Sequence, residues 1–331
     1  GGFTKRDVIE PFVYYCQKCF ELFSDYVDIW YIYNEPIVDV MFKYQNDMCY
    51  PNLLDWNLAS NAIYHMVVAH AKVVDVFKKG NYQGKIGTVL NHGHIYARSQ
   101  HPADLLAKHR VELMMQLSYE EPLLLGKVNE EWLAFVKEYG AHIEVHEEDA
   151  SFIANNTISV LGLNIYSPER VKCPTYQRNS EAPITFDSFS ELYIMHGRQM
   201  NTDRGWEIYP KCLYDTLILM KEKYGNPEMR ITENGMGIQD EYRFRNKEGQ
   251  IQDDYRIDYV KKHLKWAHKA IQEGVNLVGY NMWSFIDLWS PSNQFKNCYG
   301  FYEYDLKSGE TKRKKSADWF EYVTKVNGFE E

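Results

Sequence analysis

The sequence predicts an α/β fold in which parallel strands are joined by crossover helices. Short apolar segments bounded by turn residues alternate with longer stretches whose apolar residues recur at helical spacing. No stretch rich in Pro, Gly or Ser divides the 331 residues, so we expect one domain over 1–331. From these patterns alone, a doubly wound sheet and a (β/α) barrel both stay open.

Five segments have the length and composition of strands. The first is β-branched and aromatic, the next three are short aliphatic runs, and the last ends in Met282 and Trp283. We expect strands at 27–33, 85–90, 158–163, 229–232 and 277–283.

Segments whose apolar residues recur at helical spacing lie between and around these strands. The first helix ends near Ser24, and Pro102 suits the first turn of a later helix. The remaining helices are expected at 58–79, 103–118, 211–224, 254–273 and 315–325.

Composition excludes several classes of function. The net charge of −9 argues against nucleic-acid binding through phosphate contacts, and no apolar run is long enough to span a membrane. Neither a dinucleotide-binding nor a P-loop glycine motif is present, and Cys16 and Cys19 lack partners for a metal set, so we expect no cofactor and no metal. Six sparse cysteines and no visible signal peptide suggest the cytoplasm. The aromatic content of 15% suits a sugar-binding cleft or a tyrosine-rich core.

Polar residues cluster where the predicted strands end. Asn34 and Glu35 follow the first strand, Asn164 follows the third, and Glu233 follows the fourth. In a barrel such ends converge on one face. Two carboxylates on different strands are what glycoside hydrolysis needs, since one protonates the leaving oxygen while the other attacks the anomeric carbon or activates water.

The motifs around these residues resemble glycoside hydrolase family 1. The two carboxylate motifs are similar to the family's signatures, and four further motifs follow the family's order from Gly1 to about Trp319. They are Tyr33-Asn34-Glu35-Pro36, Ile231-Thr232-Glu233-Asn234-Gly235, Leu161–Ser167, Gly205–Pro210, Trp283–Asp287 and Tyr299-Gly300-Phe301.

The resemblance implies a (β/α)₈ barrel and a retaining β-glycosidase that works by double displacement. By position, Glu35 would be the acid/base and start protonated, while Glu233 would be the nucleophile and start ionised. Asn34 would bind the sugar 2-hydroxyl, and Asn164 would also belong to the substrate-binding set. Tyr166 would orient Glu233, and Trp283 would lie against the sugar ring. The two carboxyl groups should then lie roughly 5–5.5 Å apart.

The segment after the last strand resembles that of the family's 6-phospho-β-glycosidases. Ser290 stands where plain glucosidases carry a Glu, and Ser290 and Tyr299 match two members of a phosphate-binding Ser-Lys-Tyr triad. The lysine position holds Asn297, and Lys296 lies one residue earlier. Because Pro291 replaces a Trp typical of phosphogalactosidases, the resemblance favours 6-phospho-β-glucosides as the small-molecule partner, with a plain β-glucoside as the alternative.

The match begins at the helix before the family's fourth strand, so the resemblance implies that only strands 4 to 8 are present. Five strands leave two open sheet edges. The chain could therefore act with a complementing N-terminal fragment, or as a homo-oligomer. It could also be an inactive partial barrel with a structural or assembly role.

Overall fold

The computed structural model describes residues 2–46, 48–290 and 293–330. The strands in these ranges are β1 (Ile29–Asn34), β2 (Lys85–Asn91), β3 (Ile95–Ala97), β4 (Val160–Asn164), β5 (Glu169–Lys172), β6 (Glu191–Leu192), β7 (Met200–Asn201), β8 (Trp206–Glu207), β9 (Met229–Glu233), β10 (Leu277–Tyr280), β11 (Tyr302–Tyr304) and β12 (Thr311–Arg313). The helices are α1 (Ile9–Phe23), α2 (Pro36–Tyr44), α3 (Trp56–Lys79), α4 (Pro102–Glu112), α5 (Ser118–Leu125), α6 (Glu130–Glu138), α7 (Asp149–Asn155), α8 (Lys211–Tyr224), α9 (Asp254–Gln272) and α10 (Lys315–Val326).

The five predicted strands form one parallel sheet. Its order is β1-β2-β4-β9-β10, which is their order along the chain. A doubly wound sheet would reverse its strand order at a switch point, and this sheet does not. The parallel α/β class is therefore confirmed, and the strand order matches barrel-type winding.

The strand boundaries differ from the predicted ones by a few residues. β1 begins at Ile29 rather than at 27, and β10 ends at Tyr280, before the predicted end at Trp283. All five residues of β4 are buried, as expected for a central parallel strand covered by helices. An unbroken apolar run therefore located the strand but did not locate its ends.

The longest helix, α3, lies at the centre of the helical layer. Its 24 residues are buried on nearly every face, because α1, α2, α5 and α7 all pack against it. The Asp55 carboxylate caps its N-terminus by accepting a hydrogen bond of 2.8 Å from the Leu58 backbone N–H. No helix in the described ranges is both long and apolar enough to cross a membrane.

The predicted helix 103–118 is interrupted. A π-helical segment, Leu113–Leu117, separates α4 from α5, and three of the apolar residues in this segment are buried. Such a segment widens the turn locally while keeping the chain helical.

The Cys16-x-x-Cys19 pair lies on α1, as the spacing predicts. Cys16 is buried in the apolar core and Cys19 is half-buried. Burial raises the pKa of the Cys16 thiol to about 12, so this thiol stays protonated and packs as a small apolar group.

Candidate active site

The candidate active site lies where the parallel strands end. Register places Asn91 of β2 opposite Asn164 of β4, and Asn164 opposite Glu233 of β9. A cavity of about 650 Å³ opens at these ends, and Asn34, Glu35, Asn91 and Glu233 line it. Parallel strands thus bring side chains together that are up to 199 positions apart in the sequence (34 to 233).

Glu35 connects the end of β1 to α2 in an unusual backbone conformation. Its φ of 50° and ψ of 54° are left-handed, and Pro36 begins the helix directly after it. Its backbone N–H donates to the Val89 carbonyl at 2.9 Å. A left-handed residue other than Gly costs roughly 1 kcal/mol or more, and such positions cluster at functional sites.

The Asn164 side chain joins the two carboxylate strands. Its Nδ2 donates to Oε1 of Glu35 at 2.8 Å and to Oδ1 of Asn34 at 3.1 Å. Its Oδ1 accepts a 2.7 Å hydrogen bond from the Thr232 hydroxyl, next to Glu233. Asn164 is fully buried, so this amide holds Glu35 and Asn34 in fixed positions relative to β9.

Glu233 is held by Tyr166. The Tyr166 hydroxyl donates a 2.6 Å hydrogen bond to Oε2 of Glu233. Burial raises the pKa of Glu233 to about 7, and the nearby Glu35 charge also raises it, whereas hydrogen bonds from Tyr166 and Asn164 lower it. Burial also raises the pKa of the Tyr166 hydroxyl well above its usual range, and the charge of Glu233 adds to that shift. Tyr166 therefore remains a proton donor in this hydrogen bond.

The raised pKa of Glu233 bears on the ionised starting state that the resemblance implies for this carboxylate. A pKa of about 7 places the titration of Glu233 near neutral pH, so its ionised form is populated there and increases as the pH rises. Desolvation is the largest cause of the raised pKa, and the local sequence does not reveal it.

Asn234 and Gly235 explain the rest of the second carboxylate motif. Asn234 is fully buried and its Nδ2 donates to the Ile165 carbonyl at 2.7 Å, so it ties β9 to the loop after β4. A Cβ on Gly235 would lie 1.9 Å from the Trp283 carbonyl oxygen, so only glycine allows this approach. These residues bring Trp283 next to Glu233 and hold it there.

The other sugar-binding residues inferred from the resemblance lie around the same cavity. Asn34, Tyr166 and Trp283 all line it, whereas Asn164 is fully buried and is not among the lining residues, because its amide is used to hold Glu35 and Asn34. Trp206 and Trp289 line it as well, and Trp289 is exposed, which adds two indole faces that the sequence analysis did not single out. Aromatic faces suit the apolar faces of sugar rings.

The structure separates the three residues of the candidate phosphate site. Ser290 and Tyr299 line the cavity, whereas Lys296 is exposed and is not among the residues that line it. Asn297, at the lysine position, is buried and donates to the Asp203 carbonyl at 3.3 Å. Pro291, on which the preference for glucosides over galactosides depended, lies outside the described residues.

Sequence reasoning also missed Asn91 and Arg204. Asn91 donates a 3.0 Å hydrogen bond to Oε1 of Glu35, and its place at the end of β2 follows the same strand-end rule that identified Asn164. Arg204 lines the cavity beside Tyr299, and its Nε donates to the Tyr299 hydroxyl at 3.1 Å. No pattern in the sequence marks Arg204, because it lies in the turn between β7 and β8.

One group of side chains near this site has ligand atoms close enough to hold a metal. Atoms of Glu241, Asp287 and Cys298 lie within 4.8 Å of one another. However, Lys314 forms ion pairs with both carboxylates, and Arg256 pairs with Glu241. These buried cations already balance the negative charge, so the group is an ion-pair network that supports the loop carrying Tyr299.

The chain is similar to glycosyl hydrolases along its whole length. The sequence profile of glycosyl hydrolase family 1 matches residues 1–329. The 6-phospho-beta-glucosidase GmuD of Bacillus subtilis is 42% identical over 330 residues, which cover 99% of this chain and 71% of that protein. A 6-phospho-beta-galactosidase of Streptococcus mutans is 32% identical, with 98% and 72% of the two chains covered.

Solved structures give the same result for the fold. The family 1 b-glucosidase from Thermotoga maritima superposes with a TM-score of 0.85 at 31% identity, covering 99% of this chain and 70% of that one. The similarity therefore extends to a protein named for plain glucosides as well as to proteins named for phosphorylated ones.

Proposed function

The chain belongs to glycosyl hydrolase family 1, and we propose that it hydrolyses 6-phospho-β-glucosides with retention of configuration. The observation that carries the reaction type is the pair of carboxylates, Glu35 and Glu233, at the ends of two strands and lining the same cavity. The name of the B. subtilis relative and the Ser290–Tyr299 pair in the cavity support the phosphorylated substrate.

In this reaction Glu35 and Glu233 act on opposite sides of the anomeric carbon. A protonated Glu35 donates its proton to the glycosidic oxygen as the bond to the leaving group breaks, and ionised Glu233 forms an ester with the anomeric carbon. Glu35 then removes a proton from water, whose oxygen displaces Glu233 from the sugar. A carboxyl separation of about 5–5.5 Å goes with this retaining route.

Asn34, Trp283 and Tyr166 serve the sugar in the same proposal. Asn34 is exposed at the cavity wall and its Oδ1 accepts from Asn164, which orients its amide for the 2-hydroxyl. Trp283 offers its ring to the sugar, and Tyr166 fixes the Oε2 atom of Glu233 so that its other oxygen can attack.

We also propose that the five strands correspond to strands 4 to 8 of a (β/α)₈ barrel within the single domain 1–331. In the described ranges β1 and β10 each pair with one strand of the sheet only. Apolar side chains are exposed beside these edges, including Tyr14, Leu22 and Tyr26 near α1 and Val278 on β10. Further βα units from an N-terminal fragment or a second copy would cover them.

An inactive structural or assembly unit is the second candidate function. A partial barrel that never closes would be an inactive structural or assembly unit, held to its partner through strand edges. Three outcomes are distinguished by measuring intact mass, N-terminal sequence, sedimentation and hydrolytic activity of the purified protein. They are an active monomer, a species that gains activity with an added N-terminal segment, and an inactive oligomer.

Hydrolysis of 4-nitrophenyl 6-phospho-β-glucoside tests the main proposal, with the unphosphorylated glucoside as the comparison substrate. We expect the phosphorylated compound to be cleaved preferentially, with the β-anomer as the first product in proton NMR. Glu233→Gln should abolish cleavage while the circular dichroism spectrum stays unchanged. Preferential cleavage of the plain glucoside would refute the phosphorylated substrate and favour a plain β-glucosidase. An α-anomer as the first product would refute retention.

A cytoplasmic location is part of the proposal. The substrate's phosphate is charged, and the cost of moving a charge through a bilayer keeps such sugars on the side where they are made. Fractionation of the source cells tests this location.

A further inference from the structure

Arg204 is the only basic side chain among the described residues that line the cavity. Four carboxylates, from Glu35, Glu169, Asp187 and Glu233, line the same space. An anionic substrate entering such a cavity meets repulsion unless a positive charge lies close to its anionic group. Arg204 can therefore determine where in the cavity a negative group binds.

The Arg204 guanidinium is held in place by two aromatic residues. It lies 4.0 Å from the centre of the Trp206 ring, and its Nε donates to the Tyr299 hydroxyl at 3.1 Å. The Trp206 ring in turn packs against Tyr166, with ring centres 5.1 Å apart. Stacking and one hydrogen bond restrict the side chain before any ligand arrives, which lowers the entropy cost of binding.

The charge of Arg204 is not balanced by a carboxylate. In the described part of the chain no Asp or Glu forms an ion pair with it, and its neighbour Asp203 is engaged elsewhere. Asp203 pairs with Arg243 at 3.1 Å and accepts from the Gln239 backbone N–H at 3.0 Å. The N–H groups on the outer nitrogens of Arg204 can thus serve an incoming anion.

Tyr299 and Ser290 complete an anion-binding arrangement. The Tyr299 oxygen already accepts from Arg204, so its own proton can be donated to another acceptor. Ser290 lines the same cavity and also carries a hydroxyl donor. A guanidinium beside a hydroxyl donor offers the hydrogen bonds and the positive charge that a phosphate monoester accepts.

We propose that Arg204 binds the 6-phosphate of the substrate and supplies the positive charge that Asn297, at the lysine position of the triad, does not. This inference rests on the proposed preference for phosphorylated glucosides. It assigns the charge to the turn between β7 and β8, whereas the resemblance placed it in the loop after β10. Lys296, exposed outside the cavity, has no part in it.

The test compares Arg204→Gln with Arg198→Gln, a control that removes the same charge from an arginine that does not line the cavity. Each protein is titrated calorimetrically with glucose 6-phosphate and with glucose, and kcat and KM are measured for the phosphorylated and plain aryl glucosides. A charge-assisted contact contributes about 10- to 100-fold in affinity. We expect Arg204→Gln to bind phosphorylated ligands about 10- to 100-fold more weakly, chiefly through a higher KM. Its affinity for the unphosphorylated ligands should change little.

Two further variants separate the outcomes. Arg204→Lys should recover part of the phosphate affinity, and Lys296→Gln should behave as wild type. If the wild type prefers phosphorylated ligands and Arg204→Gln keeps that preference, this inference fails while the proposed function stands. Equal losses for both substrates would also overturn it. If the wild type itself prefers plain glucosides, the proposed function fails and this inference fails with it.

Discussion

The Tyr166 hydroxyl donates a hydrogen bond of 2.6 Å to Oε2 of Glu233. Tyr166 follows β4 and Glu233 ends β9, two neighbouring parallel strands, so the sheet register sets this contact. The hydrogen bond favours the ionised carboxylate while burial disfavours it, and the balance leaves the pKa of Glu233 at about 7. Small changes around Tyr166 should therefore change how much of Glu233 is ionised at neutral pH.

Replacing Tyr166 by Phe should move the pH dependence of hydrolysis. Loss of the hydrogen bond raises the pKa of Glu233 further, so the acidic limb of the kcat/KM profile should shift to higher pH, and kcat/KM at pH 7 should fall about 10- to 100-fold. Tyr96→Phe is the matched control, since that hydroxyl bonds to Asp215 and does not line the cavity. An unshifted profile for Tyr166→Phe would contradict the role of this hydroxyl.

Replacing Glu233 by Gln should stabilise the protein above neutral pH. The folded state keeps the Glu233 proton up to about pH 7, whereas the unfolded chain loses it near the ordinary carboxyl pKa. Between these values the folded state binds more protons, so this group's contribution to stability falls as pH rises through that window. Urea unfolding at pH 4 and pH 8 should show a gain for Glu233→Gln, on the order of 3 kcal/mol, only at pH 8.

The control for that experiment is Glu222→Gln, an exposed carboxylate on α8. It should leave the free energy of unfolding nearly unchanged at both pH values. A Glu233→Gln variant that is equally stabilised at both, or destabilised at pH 8, would show that burial does not raise the pKa of this group.

Replacing Asn164 by Asp should disable both carboxylates without changing the size of the side chain. The amide that donates to Glu35 at 2.8 Å becomes a third negative group, so the pKa values in the cluster rise. We expect kcat/KM to fall by about 100-fold or more at pH 7, because one donor and the correct charge are lost together. Asn155→Asp, on the exposed end of α7, provides the control.

Replacing Lys314 by Met should destabilise the fold and loosen the loop that carries Tyr299. Lys314 is fully buried and pairs with Glu241 and Asp287, and Asp287 also accepts a 2.8 Å hydrogen bond from the Gly300 backbone N–H. Removing one partner of a buried ion pair costs about 3–5 kcal/mol, because charge is left unpaired. Urea unfolding measures this loss of unfolding free energy, and adding Glu241→Gln should recover part of it. An unchanged free energy of unfolding for Lys314→Met would show that these ion pairs are solvated.

Parts of this architecture could be foreseen from local patterns. The helix at 211–224 was predicted to the residue, and all five parallel strands were located, because apolar runs and turn residues report burial directly. The strand ends were less certain: β10 stops at Tyr280, where the chain turns to bring Trp283 beside Gly235. That turn depends on contact with a distant segment.

The sequence alone indicated the family and predicted the two carboxylates and the residues around them, because those features are short motifs that can be read without knowing the fold. Only the folded arrangement chose barrel-type winding over a doubly wound sheet, since strand order is a property of pairing between distant segments. It also raised the pKa of Glu233, placed Lys296 outside the cavity and brought Arg204 to Tyr299. Burial and charge proximity arise between residues that are far apart along the chain, and no local pattern records them.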